Sequence, residues 1–281
     1  MGNLEMLVSV VIPNRNGSKY IAECIDSVIS QTYPHIEILV VDDHSTDNSL
    51  EILRGYGESI RMIESEDFGA CSARNVGMLS SRGDLIALLD CDDFWERNKI
   101  SKQVALLQES KSGLIYCPGI EFDGFGDTIA THHARNRGDC YSLFEKNPGV
   151  AIIALGCSSA IFRKSLLNES GLFDPKFSGA AEDWDFFRRI CRITTINYVD
   201  EILVKYRRHN GNISGRGIMD FKFGNELAIR KMIEDDSYIS YLRARICWAK
   251  LQFMILKTCI KQKHLILTLK SFASIFIGPN Q

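Results

Sequence analysis

An excess of charge of one sign is missing from this chain as a whole. The net charge is −2 over 281 residues, so nothing global favours a nucleic-acid partner. The nine cysteines are scattered and never spaced C-x-x-C, which argues against a zinc site or a disulfide frame. They read as small buried hydrophobes in a reducing compartment. Met1 to Met6 is polar and the run from Leu7 to Ile12 is too short for a signal peptide. No charge-free segment reaches the length of a transmembrane helix, so the expected location is the cytoplasm. Repeats and low-complexity segments are lacking too. The first strand is not followed by G-x-G-x-x-G, which removes a dinucleotide oxidoreductase.

What is present centres on Leu85 to Trp95, L-I-A-L-L-D-C-D-D-F-W. A continuous apolar run reads as a strand buried on both faces of a parallel sheet. It ends in Asp90, Asp92 and Asp93. Carboxylates crowded at a strand end repel one another unless a cation neutralises them. In open α/β sheets the crevice beyond the strand ends is where ligands bind. Oxygen ligands suit Mg²⁺ or Mn²⁺, held by one or two carboxylates plus substrate phosphates. The rival reading is an acidic turn that caps the next helix.

Strands and helices alternate over residues 7 to 109, the pattern of a doubly wound, mostly parallel α/β sheet flanked by helices. Leu7 to Pro13 is a first strand, and residues 18 to 31 a helix with Ser18 as its N-cap. Ile36 to Val41 is a second strand ending in Asp42 and Asp43, and Ile60 to Ile63 a third. Ala70 to Ser81 is a helix carrying Arg74, which faces either the crevice or solvent. Residues 118 to 149 read as loops or a hairpin, with His132 and His133 an exposed pair rather than a metal site. Strand-like runs follow at Leu114 to Cys117, Ser158 to Phe162 and Ile202 to Tyr206. Between them a helix begins with Glu182, Asp183 and Asp185, more acids than capping needs.

Taken together, S-V-V-I-P-N-R-N at 9 to 16, the segment from Gln31 to Asp47, A-R-N-V-G at 73 to 77 and the stretch from Gly83 to Trp95 resemble the family 2 glycosyltransferases of GT-A fold. G-L-F-D at 171 to 174, E-D-W-D-F at 182 to 186 and Y-R-R-H at 206 to 209 extend the resemblance to about residue 215. It implies an inverting transferase moving a sugar, of hexosyl or N-acetylhexosaminyl type, from a nucleotide diphosphate to an acceptor hydroxyl. Pro13 and Asp43 would contact the base with Asp42 close by, Asp90 would bond the ribose, and Arg74 would lie near the nucleotide. Asp92 would hold Mn²⁺ or Mg²⁺ with Asp93 in support and His209 as a further ligand. Asp183 would be the general base, with Glu182 the fallback. His44 stands where such proteins often have Gly, a departure expected to change the turn more than the chemistry.

Residues 1–118 are then the nucleotide-sugar half, 119–218 the acceptor and base half, and 219–281 a basic helical extension. A UDP-sugar is the first choice of donor and a glycan or lipid-linked molecule of acceptor, as in polysaccharide or glycolipid assembly. An inactive sugar-nucleotide-binding protein and a sugar nucleotidyltransferase are the alternatives. From Ser237 onward there are seven Lys or Arg and no Asp or Glu. Ile239, Leu242, Ile246, Ala249, Phe253, Leu256 and Ile260 fall at helical spacing among them. This stripe would pack on the main domain, lie on the inner face of the cell membrane, or join two copies in a homodimer.

Overall fold

A computed structural model describes residues 5–147, 150–177, 179–212, 218–235 and 241–261. The first half alternates as the pattern predicts: β1 (Val8–Asn14), α1 (Ile21–Ile29), β2 (Ile36–Asp42), α2 (Ser49–Gly55), β3 (Arg61–Glu64), α3 (Ala70–Ser80) and β4 (Leu85–Leu88). Then come β5 (Phe94–Trp95), α4 (Lys99–Glu109), β6 (Leu114–Tyr116), β7 (Gly119–Phe122), β8 (Thr128–His132), α5 (Tyr141–Lys146), β9 (Ile161–Arg163) and α6 (Leu167–Ser170). The chain continues through α7 (Glu182–Ile193), β10 (Ile196–Tyr198), β11 (Val204–Arg207), α8 (Ile218–Asp235) and α9 (Tyr241–Lys261).

The main sheet has seven strands in the order β10-β6-β9-β4-β1-β2-β3. All are parallel to their neighbours except β9, which runs antiparallel to both β4 and β6. Alternation along each buried strand feeds two cores. Val8, Val10 and Ile12 of β1 pack with α1 and α4 on one face, while Val11 packs on the other with Met78 of α3 and Phe186 of α7. Burial on both faces explains why these strands read as unbroken apolar runs. Pro13 does not stop β1, which runs one residue further to Asn14. The Val11 carbonyl accepts from Leu89, and β4 ends at Leu88, so Pro13 turns its missing N–H to a side with no partner strand.

A second sheet, β5-β11-β7-β8, stands beside the first. Its hairpin, β7 with β8, fills part of the stretch read as loops or a hairpin, and His132 there is 2.8 Å from Glu121 Oε1. Lys205 of β11 pairs with Phe94 of β5, so the residues just after β11 are delivered to the acids just before β5. Three local expectations need correction. Ser18 does not cap α1: Tyr20 precedes the helix, and the Ser18 N–H donates to Asp47. The run from Ser158 to Phe162 is a strand only from Ile161, because Gly156–Ser159 form a 3-10 turn. On α9 the buried side is Cys247, Trp248, Leu251, Gln252 and Ile255, so of the fates open to the stripe, packing on the main domain does not hold for Ile246 and Phe253, which are exposed. Ile239, Leu242, Ile260, Arg243, Lys261 and Lys263 lie outside the residues whose side chains are described. Among the described residues no helix is long and apolar enough to cross a membrane.

Candidate active site

The carboxyl ends of β1, β2 and β4, the start of α7 and the segment after β11 close around one crevice. Asp90, Asp92 and Asp93 follow β4, and their environments set them apart. Asp93 is buried and points inward: its Oδ2 accepts from Ser158 Oγ at 2.6 Å and its Oδ1 from the Arg207 N–H at 3.1 Å. Burial raises its pKa well above the usual carboxylate range, helped by Asp92 and Asp90. Asp92 keeps a solvent edge. His209 Nε2 lies 2.9 Å from its Oδ2, to which Asn212 Nδ2 also donates at 3.0 Å. Burial and the Asp90 charge raise the Asp92 pKa, and His209 works against them. An acid cluster lifted in this way is one that a cation would relieve.

Asp90 turns the other way. Arg74 Nη2 donates to Asp90 Oδ1 at 2.6 Å, and Arg74 Nη1 lies 3.8 Å from Glu182 Oε1. Arg74 therefore faces the crevice, not solvent, with only 6% of its side chain exposed. Burial works against its charge, but Asp90, Cys157 and Glu182 together more than offset that and its pKa is raised. Its Nε and Nη1 are buried without a hydrogen-bond partner among the described residues, leaving donors that a ligand oxygen can take up.

Glu182 and Asp183 open α7 at the bottom of this cleft, where they keep some solvent contact while protein surrounds them on most sides. Burial raises both pKa values, Asp183 raises that of Glu182 further, and Arg74 opposes the rise at both. The third acid is structural. Asp185 is fully buried and paired with Arg188, Arg189 and Lys231 of α8. Ala181, just before the pair, is left-handed at φ 65°, as is Leu155 at φ 53° across the cleft. Non-glycine residues in that region cost of order 1 kcal/mol and cluster at functional sites.

At the far edge, Asp42 is spent on its own turn, accepting from Asn14 Nδ2 at 2.8 Å and from Ser45 Oγ at 2.6 Å. Asp43 is buried, accepts from the Gly69 N–H at 3.0 Å, and has Arg15 Nη1 at 3.7 Å. Pro13 lies buried at the end of β1. The structure thus brings Asp90, Asp92, Arg74, Glu182, Asp183 and His209 together, and sets Pro13 one strand away on β1 and Asp42 and Asp43 two strands away at the end of β2. Ser158 and Gly156 went unread in the sequence. Both sit in an aperiodic segment, and only the contact with Asp93 or Asp183 marks them.

Among the described residues no three His, Cys, Asp or Glu side chains converge on one ion position. Asp92 and His209 lie side by side and could hold an ion that phosphate and water would complete. Asp93 is committed to Ser158 and Arg207.

A family model described as Glycosyl transferase family 2 matches residues 9–171. An uncharacterised glycosyltransferase of Rickettsia typhi is 31% identical over 75% of this chain and 67% of its own length. Across the Rickettsia relatives the chain spans 30% to 67% of their length. The Escherichia coli protein WfgD, a UDP-Glc:alpha-D-GlcNAc-diphosphoundecaprenol beta-1,3-glucosyltransferase, is 29% identical over 78% of this chain and 83% of its own. Among solved structures, Staphylococcus aureus TarS 1–349 in complex with UDP-GlcNAc superposes with TM-score 0.67 at 20% identity, over 88% of this chain and 71% of that one. The mannosyltransferase PcManGT of Pyrobaculum calidifontis, in complex with GDP-Man and Mn²⁺, gives TM-score 0.62 at 19% identity, over 97% of this chain and 74% of that one. These neighbours share the GT-A fold, the arrangement of sheets and helices described above. The family model covers the motifs from Ser9 to Trp95 and ends at residue 171, before E-D-W-D-F and Y-R-R-H; since it matches more than half of the chain, the chain belongs to glycosyl transferase family 2.

Proposed function

We propose that the chain is an inverting, metal-dependent glycosyltransferase that moves a hexosyl or N-acetylhexosaminyl group from a nucleotide diphosphate to an acceptor hydroxyl. The observation that carries this is one crevice with Asp92 and His209 at one wall, Glu182 and Asp183 at the other, and Arg74 between them. Residues 1–118 supply the donor side and 119–218 the acceptor side. Asp92 and His209 would hold Mn²⁺ or Mg²⁺. A bound cation supplies Lewis-acid neutralisation of the charge developing on the departing diphosphate.

The rest is done by the chain's own side chains. Arg74 offers Nη1 and Nε to donor oxygens, and Asp90, held by Arg74, presents its other carboxylate oxygen to the ribose. Asp183 takes the proton of the acceptor hydroxyl as that oxygen bonds to the anomeric carbon and the bond to the diphosphate breaks on the opposite face. A carboxylate whose pKa is lifted toward neutrality suits that step, which contributes about 10²–10⁴-fold. Asp93 holds the loop in place through Ser158 and is not a ligand in this reading.

Incubation with UDP- and GDP-sugars plus Mn²⁺ tests the reading. Release of free UDP or GDP, with inverted configuration in the transferred product, is expected. A sugar nucleotidyltransferase would release pyrophosphate, and an inactive binding protein would bind donor and release nothing; either result overturns the proposal.

The similarity to WfgD supports a lipid-linked acceptor, and the exposed side of α9 supports a place for it. Ile246 and Phe253 face solvent there beside exposed Lys250 and Lys257. With no acid from residue 237 onward, this face suits anionic headgroups and repels a second copy of itself. Sedimentation with phosphatidylglycerol vesicles should carry the protein down, and Phe253→Glu should release it. Equal partitioning of both proteins, or a dimer in light scattering, goes against membrane docking.

A further inference from the structure

Helix α8 carries a glycine that its own conformation does not require. Gly224 lies inside this 18-residue helix without a left-handed φ, a position where glycine weakens a helix relative to alanine. What requires it is space. A Cβ built on Gly224 would overlap the Ala180 carbonyl oxygen and come within 2.8 Å of the carbonyl carbon. Both are backbone atoms, which cannot swing aside as the end of a long side chain does. Ala180 leads directly into Ala181, the left-handed residue at φ 65° that precedes Glu182 and Asp183. Two turns on, Lys231 lies on the same face of α8. Its Nζ is 2.9 Å from Asp174 Oδ2 and 3.2 Å from Asp185 Oδ2, and sits over the Phe177 ring at 5.4 Å from the centroid. At the end of the helix Asp235 Oδ2 accepts from Arg188 Nη2 at 2.6 Å. Helix α8 therefore holds the chain before the acid pair, at Asp174 and Ala180, and after it, at Asp185 and Arg188.

Resting on the reading of Asp183 as the base, we propose that α8 is a clamp on the acceptor wall of the cleft, and that Gly224 and Lys231 are positioning residues for sugar transfer. The Gly224 contact falls on the peptide that opens the left-handed turn, so a displacement there swings the start of α7 and carries Glu182 and Asp183 with it. Asp92, His209 and Arg74 stand on other elements, the turn after β4, the segment after β11 and α3, and keep their places. The clamp thus acts on the base and leaves the donor groups alone. The family model ends at residue 171, so the catalytic wall is fastened by a helix that lies beyond it.

Cleavage of UDP-glucose, UDP-GlcNAc and GDP-mannose with Mn²⁺, water serving as acceptor, tests this on the full chain, with calorimetric titration of UDP or GDP as the measure of the donor side. In Gly224→Ala, kcat on the preferred donor should fall about tenfold or more, since a misplacement near 1 Å can cost about 10²-fold. Nucleotide binding should stay within about twofold, roughly the scatter of additive effects. In the Asp183→Asn background the same substitution should change the residual rate by less than about twofold, because a residue that acts through the base then has nothing left to position. Alanine favours the helix, so α8 persists in the variant. Should Gly224→Ala nonetheless fail to fold, Lys231 decides. Lys231→Met leaves Asp185 its pairs with Arg188 and Arg189, and should lower kcat with nucleotide binding kept; Lys231→Arg should recover most of the rate. An unchanged kcat, a parallel loss of nucleotide binding, or an equal fall in the Asp183→Asn background overturns the inference and leaves the donor reading standing. A wild-type chain that cleaves none of the three donors overturns both.

Discussion

The carboxylate of Asp183 stands where a side chain at Gly156 would have to go. A Cβ built on Gly156 would come within 3.3 Å of Asp183 Cγ and closer still to Oδ2, and Gly156 itself is left-handed at φ 49°. Glycine is therefore required twice, for conformation and for space. Gly156→Ala should push the proposed base out of line. Displacements near 1 Å can cost about 10²-fold in rate, so transfer should fall at least about tenfold with donor affinity kept. Steady-state kinetics with separate donor titration check this; a parallel loss of donor binding would place the damage elsewhere.

Asp183→Asn separates chemistry from binding. Transfer should drop by at least about a hundredfold, the scale of general-base catalysis, with donor binding retained. The same variant should be more stable at neutral pH. Burial raises the folded pKa of Asp183 above 3.8, so the folded state holds its proton more tightly than the unfolded chain. Stability from this group is intact below the unfolded pKa and is lost as pH rises through the folded one. Asparagine carries no such loss and can still accept the Trp184 N–H. Thermal melts across pH should show wild type and variant converging in acid and diverging toward neutrality.

These residues also mark where the sequence stops being readable. Buried parallel strands announce themselves as apolar runs, and acids at their ends announce a crevice, so β1, β2, β4 and Asp90 to Asp93 were legible from composition and order. Which acid does what was not. Asp93 and Asp185 belong to the same residue type as Asp92 and Asp183, and only their partners, the distant Ser158 and Arg207 for one, Arg188 one turn on and the distant Lys231 for the other, turn them inward. Helix α9 misled for another reason. It is apolar on two sides, so a three-and-four periodicity fits the exposed Ile246 and Phe253 as well as the buried Trp248 and Leu251.

Asp92 and Asp93 should therefore answer differently to substitution. Asp92→Ala should abolish Mn²⁺-dependent nucleotide binding in calorimetry while leaving the fold intact. Ser158→Ala acts on Asp93. It removes the 2.6 Å bond to Asp93 Oδ2 and the acceptor of the Asp90 N–H. An unsatisfied buried group costs about 1–3 kcal/mol, so urea unfolding should show a loss of that size. Intact metal-dependent affinity in Asp92→Ala would refute the ligand assignment.

Arg74 ties the two walls of the crevice together, and its charge can be read in a pH profile. Its cation lowers the pKa of both Glu182 and Asp183 against the burial that raises them. Arg74→Met removes that opposition, so both carboxylates should hold their protons to higher pH. Since the base works deprotonated, the acid limb of kcat should move upward, and the variant should recover part of its lost rate as pH is raised. Arg74→Lys, which keeps the charge, should move the limb less. Measured at saturating donor, this shift is distinct from a role in holding the nucleotide, which would raise KM and leave the limb in place. A uniform fall in kcat with an unmoved limb would show that Arg74 serves the donor alone, and that the base owes its proton affinity to burial.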